Sequence, residues 1–283
     1  MKLLRVGPAG AERPVVLGED GTAYDLSGRT ADIDGAFLAR LDPAELAAAV
    51  AAGDLPRTET AGERIGAPVA RPGTVVGIGL NYRDHAEQIG ADLPAEPVVF
   101  LKPTSTVVGP DDEVLVPRGG EKTDYEIELA VVIGRTARYL ETVEEAAGVI
   151  AGYAAVNDVT ERAFQLERGG QWDKGKSAET FTPLGPWLVT PDEVGDPQKL
   201  GLRLWVNGEL RQDGSTADMV FPVLEIVRYL SRFMVLEPGD VIVTGTPAGV
   251  TAGHPGAAFL RPGDVVELEV EGLGRQRQTL GRA

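Results

Sequence analysis

The chain has 283 residues, 43% of them hydrophobic, which is enough for one large domain or a small one plus a larger one around a substantial core. Its formal net charge of −16 repels polyanions and argues against a nucleic-acid partner, and no apolar run reaches the length of about 18 residues that a membrane span requires. There is no cysteine and there are only two histidines, so disulfides and thiolate metal sites are excluded and any metal site must rest mainly on oxygen ligands.

The N-terminus, Met1–Pro8, lacks the apolar stretch of a signal peptide, and the expected location is cytoplasmic. Residues 1–65 read as a small separate α+β unit. Strand candidates Lys2–Val6 and Pro14–Leu17 precede the turn signal Asp20-Gly21. Asp42 then caps an Ala-rich helix that starts at Pro43, carries Glu45 in its first turn and stops at Gly53. The polar stretch Thr58–Gly66 reads as a linker.

Residues 70–283 form the second predicted domain, built of short β-rich runs broken by Gly and Pro. The strand candidates are Thr74–Ile78, Val98–Leu101, Glu113–Val116, Glu126–Ile133, Tyr153–Asn157, Arg203–Val206, Val241–Val243 and Val265–Val270. Two of them follow Pro-Gly-Asp turns, at 238–240 and 262–264, which pin where a strand begins. Thr142-x-x-Glu145 is a capping-box pattern, and Val223, Ile226, Val227 and Leu230 recur at helical spacing within Phe221–Met234. The fold class is α+β and mainly β, with few helices.

Glu126 and Glu128 alternate with Tyr125, Ile127 and Leu129, so the two carboxylates share one strand face. An isolated Glu-x-Glu is ordinarily a solvated face. Here the apolar run Ala130–Val132 continues the strand, which marks it as buried on both sides. Carboxylates at the mouth of such a strand need a partner, and a hard cation such as Mg²⁺ or Mn²⁺ suits an all-oxygen set. Asp158, directly after the apolar strand Gly152–Val156, supplies a third ligand, although alone it would read as a turn former or cap.

His85 follows a strand and a Gly-rich turn, a suitable place for a general base, although a lone histidine is more often structural. Gly77-x-Gly79 after that strand suggests a dinucleotide fingerprint, but Tyr82 stands where the third glycine belongs and no strand–helix alternation follows. Arg162, Lys174 and Lys176 flank Asp158, with Lys102 a further candidate. They form the local positive patch that an anionic substrate needs on an acidic protein.

Taken in order, six segments resemble the fumarylacetoacetate hydrolase superfamily over roughly residues 70–280. They are Gly79-Leu80-Asn81-Tyr82-x-Asp84-His85, Phe100-Leu101-Lys102-Pro103, Tyr125-Glu126-x-Glu128-Leu129-Ala130, Asn157-Asp158-Val159-Thr160-x-Arg162, Lys176-Ser177-x-x-Thr180-Phe181-x-Pro183-Leu184-Gly185-Pro186, and Pro238-Gly239-Asp240-Val241-Ile242-x-Thr244-Gly245-Thr246-Pro247. The resemblance implies a β-roll or β-sandwich catalytic domain, assembled as a homodimer. It also implies Mg²⁺ or Mn²⁺ held by Glu126, Glu128 and Asp158. Arg162, Gln165, Lys176 and Thr246 would line the substrate site with Lys102 close by, and His85 would sit on a short lid segment that orders on binding.

By that resemblance the substrate is a small anionic 2-oxo acid and the reaction is hydrolytic C–C cleavage of a 2,4-dioxo acid. His85, aided by Glu87, would activate the water and Lys176 would assist the departing enolate. Gln165–Lys176 is similar to the strip of relatives acting on sugar-derived 2,4-dioxo acids. One position departs from the pattern: where acylpyruvate-cleaving members pair the lid histidine with a glutamate, this chain has Gln88, and an amide cannot accept a proton as a carboxylate does. Decarboxylation, isomerisation or dehydration on the same site are the alternatives within the enzyme class. A non-catalytic, metal-dependent small-molecule binding protein is the alternative outside it.

Overall fold

The apolar run that follows the two glutamates sits in the interior of a ten-stranded sheet. The computed structural model describes residues 1–254 and 256–283. Its N-terminal part contains β1 (Lys2–Val6), β2 (Arg13–Leu17), β3 (Ala23–Asp25) and helix α1 (Pro43–Ala52). Asp42 caps α1 by accepting from the N–H groups of Ala44 and Glu45, and Gly53 ends it in the left-handed region at φ 74°, both as predicted.

The chain continues through β4 (Val75–Gly79), helix α2 (Arg83–Ile89), β5 (Val98–Lys102), β6 (Val114–Val116), β7 (Ile127–Ile133) and β8 (Ile150–Asn157). Two short helices, α3 (Arg162–Leu166) and α4 (Asp173–Lys176), lead to β9 (Leu188–Val189). The C-terminal part adds β10 (Gly201–Val206), β11 (Glu209–Ser215), α5 (Val223–Leu230), β12 (Val241–Val243), β13 (Val265–Val270) and β14 (Gly274–Arg282).

The large sheet runs β3-β2-β1-β9-β8-β7-β12-β4-β5, with Ile65–Gly66 paired to β1 off that path; a five-stranded sheet runs β11-β10-β13-β14-β6. Alternation along β7 divides two cores. Leu129, Val131 and Ile133 pack with Leu204, Leu268 and the α5 residues Val223 and Ile226. Ala130 and Val132 face Leu3, Val16, Leu26 and Ile33 on the other side. In residues 1–65, β1–β3 extend the large sheet, and the second core is shared with residues from the rest of the chain.

β7 is antiparallel to both β8 and β12, and β12 is parallel to β4. The start of β7 and the ends of β8, β12 and β4 consequently meet at one end of the sheet. Glu126, Asp158, Thr244–Thr246 and α2 all leave from that end. No helix among the described residues is long and apolar enough to cross a membrane.

Candidate metal centre and its cavity

The last pair of the β7–β8 register is Ile127 with Asn157, and one step beyond it the Asp158 N–H donates to the Glu126 carbonyl at 2.8 Å. That register, with strand alternation, brings three acids together from distant sequence. One oxygen from each of Glu126, Glu128 and Asp158 lies within 4.8 Å of the others, and all three side chains are buried. Buried carboxylates crowded this closely must be compensated.

The compensation is uneven. Lys176 Nζ donates to Glu126 Oε2 and to Asp158 Oδ2, each at 2.6 Å. Arg162 Nη2 stands 2.7 Å from Glu126 Oε1, an ion pair off the line of a hydrogen bond. Lys102 Nζ donates to Asp158 Oδ1 and, at 2.8 Å, to the Phe181 carbonyl. Glu128 accepts one N–H, from Gly245 at 2.7 Å, and no lysine or arginine among the described residues pairs with it.

Burial pushes both glutamates up. Around Glu126 the charges of Lys176 and Arg162 outweigh burial and bring the carboxyl down to about 2. Around Glu128 the neighbouring Asp158 and Glu126 add to the effect of burial, and its carboxyl lies well above the usual range. A buried carboxyl with one N–H partner, beside two paired acids, is the arrangement a hard divalent cation relieves. The set offers only carboxylate oxygens, which fits Mg²⁺ or Mn²⁺.

Two residues that the sequence reading missed hold this end of the sheet. Gln212, buried on β11, accepts from the Ile127 N–H at 3.0 Å and donates to Thr246 Oγ1 at 2.8 Å and to the Pro247 carbonyl at 2.9 Å. It thereby fixes the backbone between the two glutamates and the loop that brings Gly245. Asp124 accepts from Arg162 Nε at 2.9 Å and from the N–H groups of Thr251 and Ala252, each at 3.0 Å. Gly245 itself takes φ +93°, and a Cβ there would press on Asn81, so only glycine aims this N–H at Glu128.

The carboxylates Glu126 and Glu128 form the floor of a cavity of about 330 Å³ that His85, Arg162, Gln165, Lys176 and Thr246 also line. Arg162 Nη1 donates to Gln165 Oε1 at 3.2 Å, and Thr246 Oγ1 donates to the Ile127 carbonyl at 2.8 Å. Lys102, expected in the substrate site, is instead fully buried behind Asp158 and does not line the cavity. Its reach is taken up by the Asp158 carboxylate and the Phe181 carbonyl. Lys174 is also turned away, donating to the Arg168 carbonyl at 2.8 Å.

His85 comes from α2, a formed helix. Asp84 accepts from the Ala248 N–H at 3.1 Å, and Gln88 accepts from the Gly249 N–H at 3.0 Å while its amide reaches the Val250 carbonyl at 3.5 Å. Position 88 thus needs an acceptor and a donor at once, which a glutamine supplies and a carboxylate does not. His85 Nδ1 is sealed from solvent without a hydrogen-bond partner, leaving Nε2 as the nitrogen available to the cavity. Burial lowers its pKa below the usual 6.5, an effect that Glu126 partly offsets. Glu87 is exposed and does not join the cavity.

Known proteins resemble this chain in sequence and in fold. The family described as "Fumarylacetoacetate (FAA) hydrolase C-terminal" matches residues 74–281. A protein of Burkholderia lata with a provisional hydrolase name and no stated substrate is 51% identical over 280 residues, 98% of both chains. Among solved structures, a fumarylacetoacetate hydrolase from Exiguobacterium antarcticum superposes with a TM-score of 0.86 at 36% identity, covering 100% of each chain. A 5-carboxymethyl-2-hydroxymuconate delta-isomerase from Mycobacterium smegmatis gives 0.79 at 33% identity, covering 100% of this chain and 99% of that one. A maleylpyruvate hydrolase from Sphingobium sp. SYK-6, in complex with manganese(II) ion and pyruvate, gives 0.82 at 29% identity with 100% coverage of both.

Proposed function

The chain belongs to the fumarylacetoacetate hydrolase family, and from that premise we propose that it hydrolyses a carbon–carbon bond in a small 2,4-dioxo acid, with Mg²⁺ or Mn²⁺ held by Glu126, Glu128 and Asp158. One observation carries the reading: three converging carboxylates, one of them without a cationic partner and two of them at the floor of a cavity that also presents a base and two cations. The cavity, at about 330 Å³, suits a small organic acid.

When bound, the ion supplies Lewis acidity at the substrate's carboxylate and 2-oxo oxygens. Arg162 and Gln165 bind and orient the anionic end. His85 Nε2 takes a proton from a water whose oxygen bonds to the 4-oxo carbon, and burial keeps the imidazole neutral and ready to accept it. The C3–C4 bond then breaks, its electron pair passes to C3, and the Lys176 ammonium stabilises the charge on the departing enolate. Protonation at C3 releases pyruvate and a carboxylic acid. α2, docked on residues 248–250, keeps bulk water out of the cavity.

The test is to incubate purified protein and Mg²⁺ or Mn²⁺ with a panel of 2,4-dioxo acids and identify the products by mass spectrometry. Pyruvate plus an acid supports hydrolysis. Isomerisation of a related 2-oxo acid is the second reading, favoured by the lack of any carboxylate bonded to His85 among the described residues. Proton transfer between carbons needs a base but no activated water, and it would appear as a shifted ultraviolet band with no change in mass. A cytosolic homodimer belongs to the same proposal, supported by the exposed apolar Tyr139, Phe233 and Val235, and light scattering tests the assembly.

A further inference from the structure

The Gly77-x-Gly79 pair that imitates a nucleotide fingerprint has a different use in the fold. Both glycines lie on one face of β4, and Gly77 pairs across the sheet with Phe100 of β5. A Cβ on Gly77 would run into the Phe100 ring, and one on Gly79 would run into the Trp172 ring. The two glycines are therefore the recess in which an aromatic wall sits. The Phe100 and Trp172 rings are 6.1 Å apart and tilted by 56°, and Lys176 Nζ lies 4.9 Å from the Phe100 ring centre, which joins the wall to the floor.

Exposure orders the cavity from bottom to mouth. Glu128 and Glu126 at the floor are 2% and 5% exposed, whereas Ile89 and Leu166 at the rim are 42% and 57% exposed. The basic groups that line the cavity, Arg162, Lys176 and His85, are all buried, and the two formal cations already face Glu126. The apolar lining is Phe100, Trp172, Ile89, Leu166 and Val250, in which Phe100 and Val250 are buried, Trp172 is half-buried, and Ile89 and Leu166 form the exposed rim. Nearby cations are engaged elsewhere: the Arg168 guanidinium lies over the Phe164 ring, and Arg83 donates to the Met219 carbonyl at 2.9 Å.

We propose that the Phe100–Trp172 wall, with Ile89 and Leu166 at the rim, selects a monoanionic 2-oxo acid with a short uncharged tail over a dicarboxylate of the same length. The proposal rests on the floor holding the 2-oxo acid head, as described above. A head seated on the floor sends its tail along the aromatic wall towards the mouth. A terminal carboxylate there would shed part of its water against the rings, and the cavity lining offers it no cation that does not already face Glu126, whereas an apolar tail gains contact area.

Calorimetry with the Mn²⁺-loaded protein separates the two layers, using pyruvate, 2-oxohexanoate and 2-oxoadipate as probes that need not react. Pyruvate, which has no tail, tests the floor. 2-Oxohexanoate and 2-oxoadipate share a chain length and differ by one terminal carboxylate, so they test the wall. The expected result is binding of all three, with 2-oxohexanoate about tenfold or more tighter than 2-oxoadipate. Trp172→Ala should weaken 2-oxohexanoate about three- to tenfold while leaving pyruvate within about twofold, and Trp172→Phe should recover most of the loss.

Equal or tighter binding of 2-oxoadipate would overturn the proposal, and so would a Trp172→Ala loss as large for pyruvate as for 2-oxohexanoate. If pyruvate binds and only the selectivity is absent, the wall is wrong and the floor stands. If pyruvate itself does not bind, the reading of the floor fails and takes the proposal with it.

Discussion

The floor of the cavity and the helix proposed to cover it as a lid are held by different interactions. At the floor and directly behind it, three carboxylates and the cations Lys102, Lys176 and Arg162 are buried together, linked by charge-assisted contacts. That helix, α2, is held to residues 248–250 by Asp84, which accepts from the Ala248 N–H, and by Gln88, which accepts from the Gly249 N–H and donates to the Val250 carbonyl. Breaking one buried ion pair strands its partner charge without water, whereas losing one part-buried side-chain hydrogen bond to the backbone of residues 248–250 costs less. Each contact at the floor is therefore costlier to lose than each of the side-chain contacts that dock α2.

Asp158→Ala should show the largest difference between them. It removes a proposed ligand and leaves Lys102 and Lys176 short of an acceptor, so unfolding by denaturant should reveal a loss of about 3–5 kcal/mol together with lost metal binding. Asp84→Ala at the lid should cost only about 1 kcal/mol. A lid variant as damaging as the floor variant would erase the distinction.

His85→Ala removes the proposed base without touching the floor, so turnover should fall about 10²–10⁴-fold while calorimetric metal affinity stays unchanged. The pH profile of kcat/KM sharpens the same point. Burial lowers the His85 pKa, so the imidazole stays neutral to lower pH than an ordinary histidine, and the acid limb should fall below pH 6.5. Gln88→Glu places a carboxylate near the ring and should move that limb upward, while costing about 1 kcal/mol because the Val250 carbonyl loses its donor. Glu87→Gln, at an exposed position outside the cavity, should change neither rate nor stability measurably.

The same contrast explains what could be read from the sequence. Strands β12 and β13 start and end where predicted, because Pro-Gly-Asp turns fix their beginnings. Glu126, Glu128 and Asp158 stood out because acids beside apolar strands break the hydrophobic pattern. Strands β11 and β14 escaped because their buried positions include Gln212, Gln276 and Gln278, which read as surface residues. These amides are satisfied by carbonyls and amides far away in sequence; Gln276, for example, donates to Ala155 and Gly185.

Helix α2 follows Tyr82, which makes no side-chain cap, so no cap residue announced it. The aromatic wall was equally hidden, since a glycine kept for space looks like a glycine kept for a turn. The role of Gln88 depends on residues 249 and 250, which no spacing rule connects to it.

Thermal unfolding of the wild type and Glu128→Ala, each with and without Mn²⁺, tests the central assignment most directly. Glu128 has no cationic partner to strand, so the variant alone should be at least as stable as the wild type, yet it should lose the metal-induced rise in Tm that the wild type shows. An equal Mn²⁺-dependent rise in both proteins would mean that the ion, if it binds at all, is held somewhere other than these three carboxylates.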